Sequence, residues 1–232
     1  MTVAAVILAA SPASALADAD GTPAARRLAD VAWAGGATPV VVCCADPDGT
    51  VGATLAISQA TRVEPPAEGL GPVAQIAGGG DAALGMVAET DAILVWPARL
   101  AWVDAETVTT LIAAHGEDRN TVLRPAFGGR DGFPALLPVT HLRTFRGLAI
   151  NRMPGELFLD LAAAGVPVRS IETGDPGVTH DISVLRAELP PYDGPPDPAD
   201  PHAHEWGAAA ADDPDEAVVS GPTRVGTTDP AN

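Results

Sequence analysis

Apolar and polar positions along residues 1 to about 188 fall into two kinds of segment. Short runs rich in β-branched residues predict strands at Val3–Ala10, Pro39–Ala45, Thr61–Glu64, Ala92–Trp96, Thr121–Phe127, Phe133–Leu137 and Val166–Glu172, the third being the weakest. Between them, stretches rich in Ala and Leu predict helices at Pro23–Ala34, Gly71–Leu84, Asp104–His115 and Gly155–Ala164. Strands that alternate with helices in this way predict an α/β domain built around a mostly parallel sheet.

This pattern stops near Pro190. From there to Asn232 the chain holds nine prolines, nine acidic residues and a single basic residue, Arg224, without any apolar periodicity. A segment of this composition cannot bury enough apolar surface to fold by itself. We therefore expect a folded domain over residues 1–188 and a disordered, acidic, Pro-rich tail over residues 189–232. Such a tail is suited to binding a protein partner.

Charge and composition exclude several classes of partner. The chain has 30 acidic and 13 basic residues, which gives a formal net charge of -17. It therefore repels the phosphate backbone of nucleic acids and anionic membrane surfaces, and we expect neither as a partner. No segment approaches the roughly 20 consecutive apolar residues that span a bilayer. All the basic residues are Arg, so the chain has no lysine with which to bind a phosphate.

The first apolar run, VAAVILAA, has two interpretations that place the protein in different compartments. It could be the apolar part of a secretory signal peptide that is cleaved after Ala17, which would give a secreted acidic domain. It could instead be a strand that helices cover on both faces, because it is apolar at almost every position. No basic residue precedes it. The adjacent Cys43 and Cys44 would point to opposite faces of a strand and cannot readily pair, which fits a reducing compartment. We favour the strand and a cytoplasmic protein.

Four stretches carry a family resemblance when they are taken in order. VAAVILAAS is similar to an opening strand that ends in LAAG, and GTPAARRLADVAWAGGATPVVV to the helix and strand that follow it. Gly71-Pro72 with the later DAILVWPARLAWVD is similar to a GP-helix-strand unit. An acceptor-side segment is similar to RPAFGGRDGFPALLP, and a closing segment is similar to DPGVTHDIS. Together they resemble the MobA-like nucleotidyltransferases over about residues 3–186. The resemblance implies a Rossmann-like three-layer α/β/α sandwich of the nucleotide-diphospho-sugar transferase type.

The resemblance also implies an activity and a set of site residues. The family transfers a nucleoside monophosphate from an NTP to a molybdopterin-type phosphate acceptor, with Mg²⁺ bound at the phosphates. By position, the nucleotide would be held by Leu8, Ala9, Ala10, Ser11, Gly71 and Pro72, and the acceptor by Gly129, Arg130, Gly132 and Pro134. Arg99 and Asp181 would stand at the catalytic centre, where Asp181 matches a metal ligand.

The sequence departs from the family pattern where phosphate and metal would bind. The loop at residues 11–23, SPASALADADGTP, contains Pro12, which has no N–H group, and two aspartates but no basic residue. Arg99 stands where the family has its other metal-binding Asp. One carboxylate and one guanidinium do not make a divalent-metal site, so Mg²⁺ binding is in doubt. We expect Arg99 and Asp181 to form an ion pair in the place of the metal.

Three functions remain open on these grounds. The first is a non-catalytic accessory or binding protein of cofactor maturation, a pseudoenzyme that keeps the transferase fold. The second is a weak transferase in which Arg99 supplies the positive charge that Mg²⁺ usually provides. The third is the secreted acidic domain. For the first two, the expected ligand is a nucleotide or another phosphate-bearing small molecule, and we expect transfer to be weak or absent.

Overall fold

A computed structural model of the chain describes residues 1–66 and 70–195. Its strands are β1 (Thr2–Leu8), β2 (Asp18–Ala19), β3 (Thr22–Pro23), β4 (Val40–Cys43), β5 (Ala60–Val63), β6 (Thr90–Pro97), β7 (Val122–Phe127), β8 (Arg130–Asp131), β9 (Ala135–Pro138) and β10 (Val168–Glu172). Its α-helices are α1 (Pro12–Ala15), α2 (Ala24–Ala34), α3 (Thr50–Leu55), α4 (Gly71–Met86), α5 (Ala105–Glu117), α6 (Leu142–Phe145) and α7 (Pro154–Ala163). Short 3-10 turns lie at Val139–His141, Pro176–Val178 and Arg186–Glu188.

The main sheet has the strand order β10-β7-β9-β6-β1-β4-β5, and β8 pairs with β7 beside this path. Pairing is parallel between β1 and its neighbours β4 and β6, between β4 and β5, and between β7 and β10. Strand β9 runs antiparallel to both β6 and β7. The predicted α/β class and the mostly parallel sheet are therefore confirmed.

Two hydrophobic cores lie on the two faces of this sheet. Because successive side chains of a strand point to opposite faces, Val3, Ala5 and Ile7 of β1 pack into one core and Ala4, Val6 and Leu8 into the other. The first core includes residues of α2, α3 and α5, and the second includes residues of α4, α6 and α7. The molecule thus has the three α/β/α layers that the sequence predicted.

Strand β1 lies between β6 and β4, well inside the sheet, and all but its first residue are buried. The strand interpretation of VAAVILAA is confirmed by this position. Cleavage after Ala17 would remove a strand that pairs with a neighbour on each side. In the part of the chain that the structure describes, no helix is long and apolar enough to cross a membrane. The cytoplasmic location stays a prediction.

Residues 11–23, which the sequence predicted as a loop, contain a short helix and a hairpin. Ser11 and Ser14 form a capping box at the start of α1, in which each side chain accepts a hydrogen bond from the other residue's backbone N–H. Strands β2 and β3 then form a hairpin around Asp20 and Gly21, whose φ angles of 60° and 79° are both positive, as tight hairpin turns require. Ser, Pro and Asp-Gly are the residues that favour these two local structures.

The first residues of the predicted tail remain in contact with the domain. The Tyr192 hydroxyl donates a hydrogen bond to Glu106 at the start of α5, and the Asp193 amide donates to the Gly174 carbonyl. Leu189 packs against a small apolar cluster that contains Trp102. The rest of the predicted acidic tail, from residue 196, lies outside the described residues.

Candidate active site

A cavity of about 440 Å³ opens at the carboxyl ends of β1 and β6. Open α/β sheets bind their ligands at this edge, and the volume is in the usual range for a small-molecule site. Six segments line it: the end of β1 with α1, the start of α4, the turn after β6, the start of α7 and two short loops. The lining residues are Leu8, Ala10, Ser14, Pro72, Gln75, Pro97, Ala98, Arg99, Leu100, Phe133, Met153, Pro154, Gly155, Thr179 and Asp181.

The turn after β6 carries Arg99 and is fixed at several points. The Trp96 indole N–H donates to the Leu100 carbonyl at 3.0 Å, and the Ala98 amide donates to the Leu8 carbonyl at 2.8 Å. The Trp96 side chain is fully buried, so it holds this turn from inside the core. The backbone position of Arg99 is therefore set by the packing of the sheet.

Asp181 faces Arg99 across the mouth of the cavity. The Ile182 amide donates to the Arg99 carbonyl at 2.8 Å, which ties the two segments together. The Arg99 Nε–H donates to the Asp181 carboxylate, so the expected ion pair is present. Partial burial raises the pKa of Asp181, but hydrogen bonds from the Ser183 amide and from Arg99 outweigh it and hold the pKa below its usual value. Asp181 is thus ionised at neutral pH.

The donor set at this position does not fit a divalent cation. Among the described residues that line the cavity, Arg99 and Asp181 are the charged ones. Among the residues that the structure describes, no three His, Cys, Asp or Glu side chains come close enough together to hold a metal ion. Mg²⁺ prefers several oxygen ligands, and a guanidinium beside the single carboxylate would repel it. We assign no metal-dependent step to this site.

The segment after β1 offers few free backbone donors. The Ser11 amide donates to the Ser14 Oγ at 3.0 Å, and the Ser14 amide donates to Ser11. Ala9 is buried, and its amide donates to the Cys43 carbonyl at 3.1 Å. Of the nucleotide-binding residues predicted here, Leu8 and Ala10 line the cavity, whereas Ala9 and Ser11 do not.

The start of α4 brings the predicted Gly71-Pro72 pair to the cavity. Pro72 lines it and Gly71 does not; Gly71 has a φ of 68°, and a Cβ there would lie only 1.9 Å from the Ile150 carbonyl oxygen. A glycine is therefore required here by the backbone. Among the described residues, no side chain caps the first turn of α4, and the positive end of a helix favours an anion.

The predicted acceptor residues are only partly brought together. Arg130 and Gly132 line a second cavity of about 230 Å³, which shares Leu100, Phe133 and Thr179 with the first. Gly129 and Pro134 line neither cavity. The amides of Gly128 and Gly129 donate to the Glu172 carboxylate, which fixes this turn to the end of β10.

Sequence reasoning missed several residues of the site. Gln75, Met153 and Gly155 line the cavity, but no motif marks them. Buried Arg124 was also overlooked; its guanidinium donates to the Gly132 carbonyl and lies 5.5 Å from the centre of the Phe133 ring. The sequence held one signal for Met153 and Gly155, namely Pro154 between them. Proline is common in the first turn of a helix, so it marks the start of α7, and the start of a helix can face a ligand.

A mostly parallel sheet between two helical layers, with a cavity at the carboxyl ends of its central strands, places the protein in the Rossmann-like α/β class. The model of the MobA-like NTP transferase domain matches residues 5–163. The chain belongs to this family. Among proteins with curated functions, none matches the chain significantly.

Solved structures with a similar fold include nucleotidyltransferases. A nucleotidyl transferase from Methanothermobacter is 19% identical with a TM-score of 0.60, and the alignment covers 74% of this chain and 87% of that one. A Mycobacterium tuberculosis protein solved in complex with manganese is 16% identical, with a TM-score of 0.57 and coverages of 75% and 89%. A CMP:2-keto-3-deoxy-manno-octonic acid synthetase solved with CTP is 17% identical, with a TM-score of 0.53 and coverages of 75% and 90%. At these identities, the likeness shows the fold.

Proposed function

We propose that this protein binds a nucleotide in the cavity at the carboxyl ends of β1 and β6, and that its nucleotidyl-transfer activity is weak or lost. In this proposal it is a cytoplasmic accessory protein in the maturation of a molybdopterin-type cofactor. Membership of the MobA-like family supports the ligand class and the type of acceptor. The CTP-bound synthetase with a similar fold supports a nucleotide as the ligand.

One observation supports the loss of transfer: Arg99 and Asp181, which the family resemblance places at the metal and the phosphates, form an ion pair with each other. Attack on an NTP builds negative charge on the leaving pyrophosphate, and a catalyst must neutralise that charge. Here the cavity offers one guanidinium that a carboxylate already neutralises. The capping box of α1 also consumes two amides that could otherwise face a phosphate.

Retained transfer is the second candidate, and the start of α4 favours it. This helix keeps its Gly71-Pro72 start, and its uncapped first turn lies at the cavity. Arg99 would then stabilise the phosphates in place of a metal, since an arginine can stabilise charge in phosphoryl transfer. The secreted acidic domain receives no support from the position of β1.

The two candidates differ in whether they release pyrophosphate. Thermal unfolding of the full chain would be followed with CTP, GTP, ATP and UTP, each with and without Mg²⁺. A ligand at 100 times its Kd adds about 2.7 kcal/mol, which raises the Tm of a domain of this size by roughly 5–10 °C. We expect such a shift with at least one nucleotide, and no pyrophosphate release when that nucleotide, Mg²⁺ and molybdopterin are supplied together. Rapid pyrophosphate release would support the transferase instead.

A pair of variants tests whether binding occurs in this cavity. Ala10 lines the cavity and is exposed, so Ala10→Glu adds a carboxylate there without disturbing the core. Ala13 is also exposed but lies outside the lining, so Ala13→Glu adds the same charge nearby. We expect the first variant to abolish the nucleotide-dependent shift and the second to keep it. Equal shifts in both variants would place the nucleotide elsewhere.

A further inference from the structure

The Arg99 guanidinium uses only one of its edges in the ion pair. Its Nε–H donates to Asp181, and its terminal Nη1 and Nη2 groups make no hydrogen bond within the part of the chain that the structure describes. The side chain is 66% exposed and lines the cavity. Because the two terminal amino groups lie in one plane, they can donate side by side to two oxygens of one phosphate or carboxylate group.

The electrostatic balance of the cavity suits one phosphate group better than three. The opposite charges of Arg99 and Asp181 cancel each other, and the start of α4, where Leu70 makes no side-chain cap, contributes roughly half a positive charge. The start of α7 adds little, because the Glu156 carboxylate accepts the Met153 amide there at 2.8 Å. A phosphate monoester carries up to about two negative charges at neutral pH. Each further phosphate adds negative charge, and the described lining residues include no second cation to balance it.

We propose that the preferred ligand of this cavity is a nucleoside monophosphate, which binds without a metal ion. Its phosphate accepts hydrogen bonds from Nη1 and Nη2 of Arg99, while Asp181 holds Nε and keeps the guanidinium in position. This inference rests on the proposed nucleotide binding and specifies its form. It predicts an order of affinities opposite to that of a site built for an NTP with Mg²⁺.

The remainder of the lining fits the nucleoside part. Besides the ion pair, the wall is mostly apolar and includes Leu8, Leu100, Phe133 and Pro72. Apolar surface favours the flat faces of a base, and a few polar groups then fix its orientation. Gln75 and Thr179 supply such groups at two sides of the cavity.

The test is a series of ligands that differ only in phosphate number. Calorimetric titration of the full chain would compare nucleoside, mono-, di- and triphosphate for each of the four common ribonucleosides, in EDTA and again with Mg²⁺. We expect the tightest Kd for a monophosphate, weaker binding with each added phosphate, and no gain on adding Mg²⁺. Tighter binding of the triphosphate, or a gain with Mg²⁺, would overturn this inference and leave nucleotide binding itself intact. No binding of any member would overturn both proposals.

Variants at Arg99 test the contact itself. Arg99→Gln removes the charge and the paired donors, and we expect it to raise the Kd of the monophosphate by about tenfold or more while the nucleoside binds as before. Because this change leaves Asp181 unpaired, the double variant Arg99→Gln/Asp181→Asn is measured too and should remain equally weak. Arg146→Gln is the matched control, since Arg146 is also exposed and paired with a carboxylate, that of Asp81, outside the cavity. A double variant with wild-type affinity would refute the role of Arg99.

Discussion

His115 is a buried histidine that has no hydrogen-bond partner among the described residues, and we expect it to make the stability of the fold depend on pH. Its side chain in α5 is fully buried, and neither Nδ1 nor Nε2 has a hydrogen-bond partner among the described residues. Burial lowers the pKa of His115, although the neighbouring carboxylates of Asp91 and Asp118 oppose this and Arg119 reinforces it. The histidine is therefore neutral in the folded protein and takes up a proton more readily when the chain unfolds.

The sign of the effect follows from that difference. A group with a lowered pKa in the folded state binds more protons in the unfolded state, so stability falls as the pH drops below the unfolded value of about 6.5. One proton changes the free energy of unfolding by at most about 1.4 kcal/mol per pH unit. The isoelectric point near 4.4 limits useful measurements to above about pH 5.5. Between pH 6.5 and 5.5, protonation of His115 in the unfolded chain thus lowers the free energy of unfolding by at most about 1.4 kcal/mol.

His115→Leu removes the titrating group and buries no unpaired polar atom. Near pH 8 we expect the variant to be at least as stable as the wild type, because a buried polar group without a partner is unfavourable. Its stability advantage should then grow by up to about 1.4 kcal/mol as the pH falls to about 5.5. The free energy of unfolding in urea would be measured for both proteins at a series of pH values. Subtracting one curve from the other removes the contribution of the titrating groups that the two proteins share. Two parallel stability curves would refute the reasoning.

Three further substitutions probe the site and its support. Gly79→Ala places a Cβ 2.3 Å from Val6 Cγ1, so it should lower the free energy of unfolding in urea by about 1–3 kcal/mol. Its control is Gly85→Ala in the same helix, where the added Cβ meets no atom within 4 Å and the change should be neutral or stabilising. Gly71→Ala combines a positive φ with a clash at the Ile150 carbonyl, so it should lower the Tm and weaken nucleotide binding in titrations, again with Gly85→Ala as the control. Arg99→Asp places a second carboxylate opposite Asp181 and should create weak Mn²⁺ binding. This binding would be measured as loss of the EPR signal of free Mn²⁺, and the control variant Arg99→Asn should show no such loss. Equal Mn²⁺ binding by both Arg99 variants would contradict the view that the guanidinium excludes a metal.

Much of the fold could be predicted from the pattern of apolar residues. Each predicted strand and helix is present, with ends that differ by about two residues or fewer. The strands are recognisable because central parallel strands are buried on both faces and are therefore apolar throughout. The short helices α1, α3 and α6 were missed, since four to six residues are too few to show a helical period. Local hydrogen bonds, such as those from the Val51 and Gly52 amides to Asp46, define them instead.

The candidate site was predictable to a smaller extent. The position of Arg99 in the family pattern led to the ion pair with Asp181, and the structure contains it. The wall formed by Met153 and Gly155 was not predictable, because the start of α7 reaches the cavity only through the packing of the folded chain. The use of the loop amides in a capping box was also hidden, since S-x-x-S is compatible with both a helix start and a phosphate loop. The roles that the sequence assigns to the site residues remain predictions.

The way in which Arg99 is held favours binding over turnover. A metal ion can bridge oxygens of several phosphates, whereas the Arg99 guanidinium is a single group whose Nε contacts Asp181 and whose backbone carbonyl accepts the Ile182 amide. Phosphoryl transfer requires positive charge placed both at the transferred phosphate and at the leaving pyrophosphate. A positive group that stays at one position can hold one phosphate, but it cannot also stabilise a second group as that group departs. The same geometry that suits Arg99 to a monophosphate therefore makes it a poor substitute for a catalytic metal.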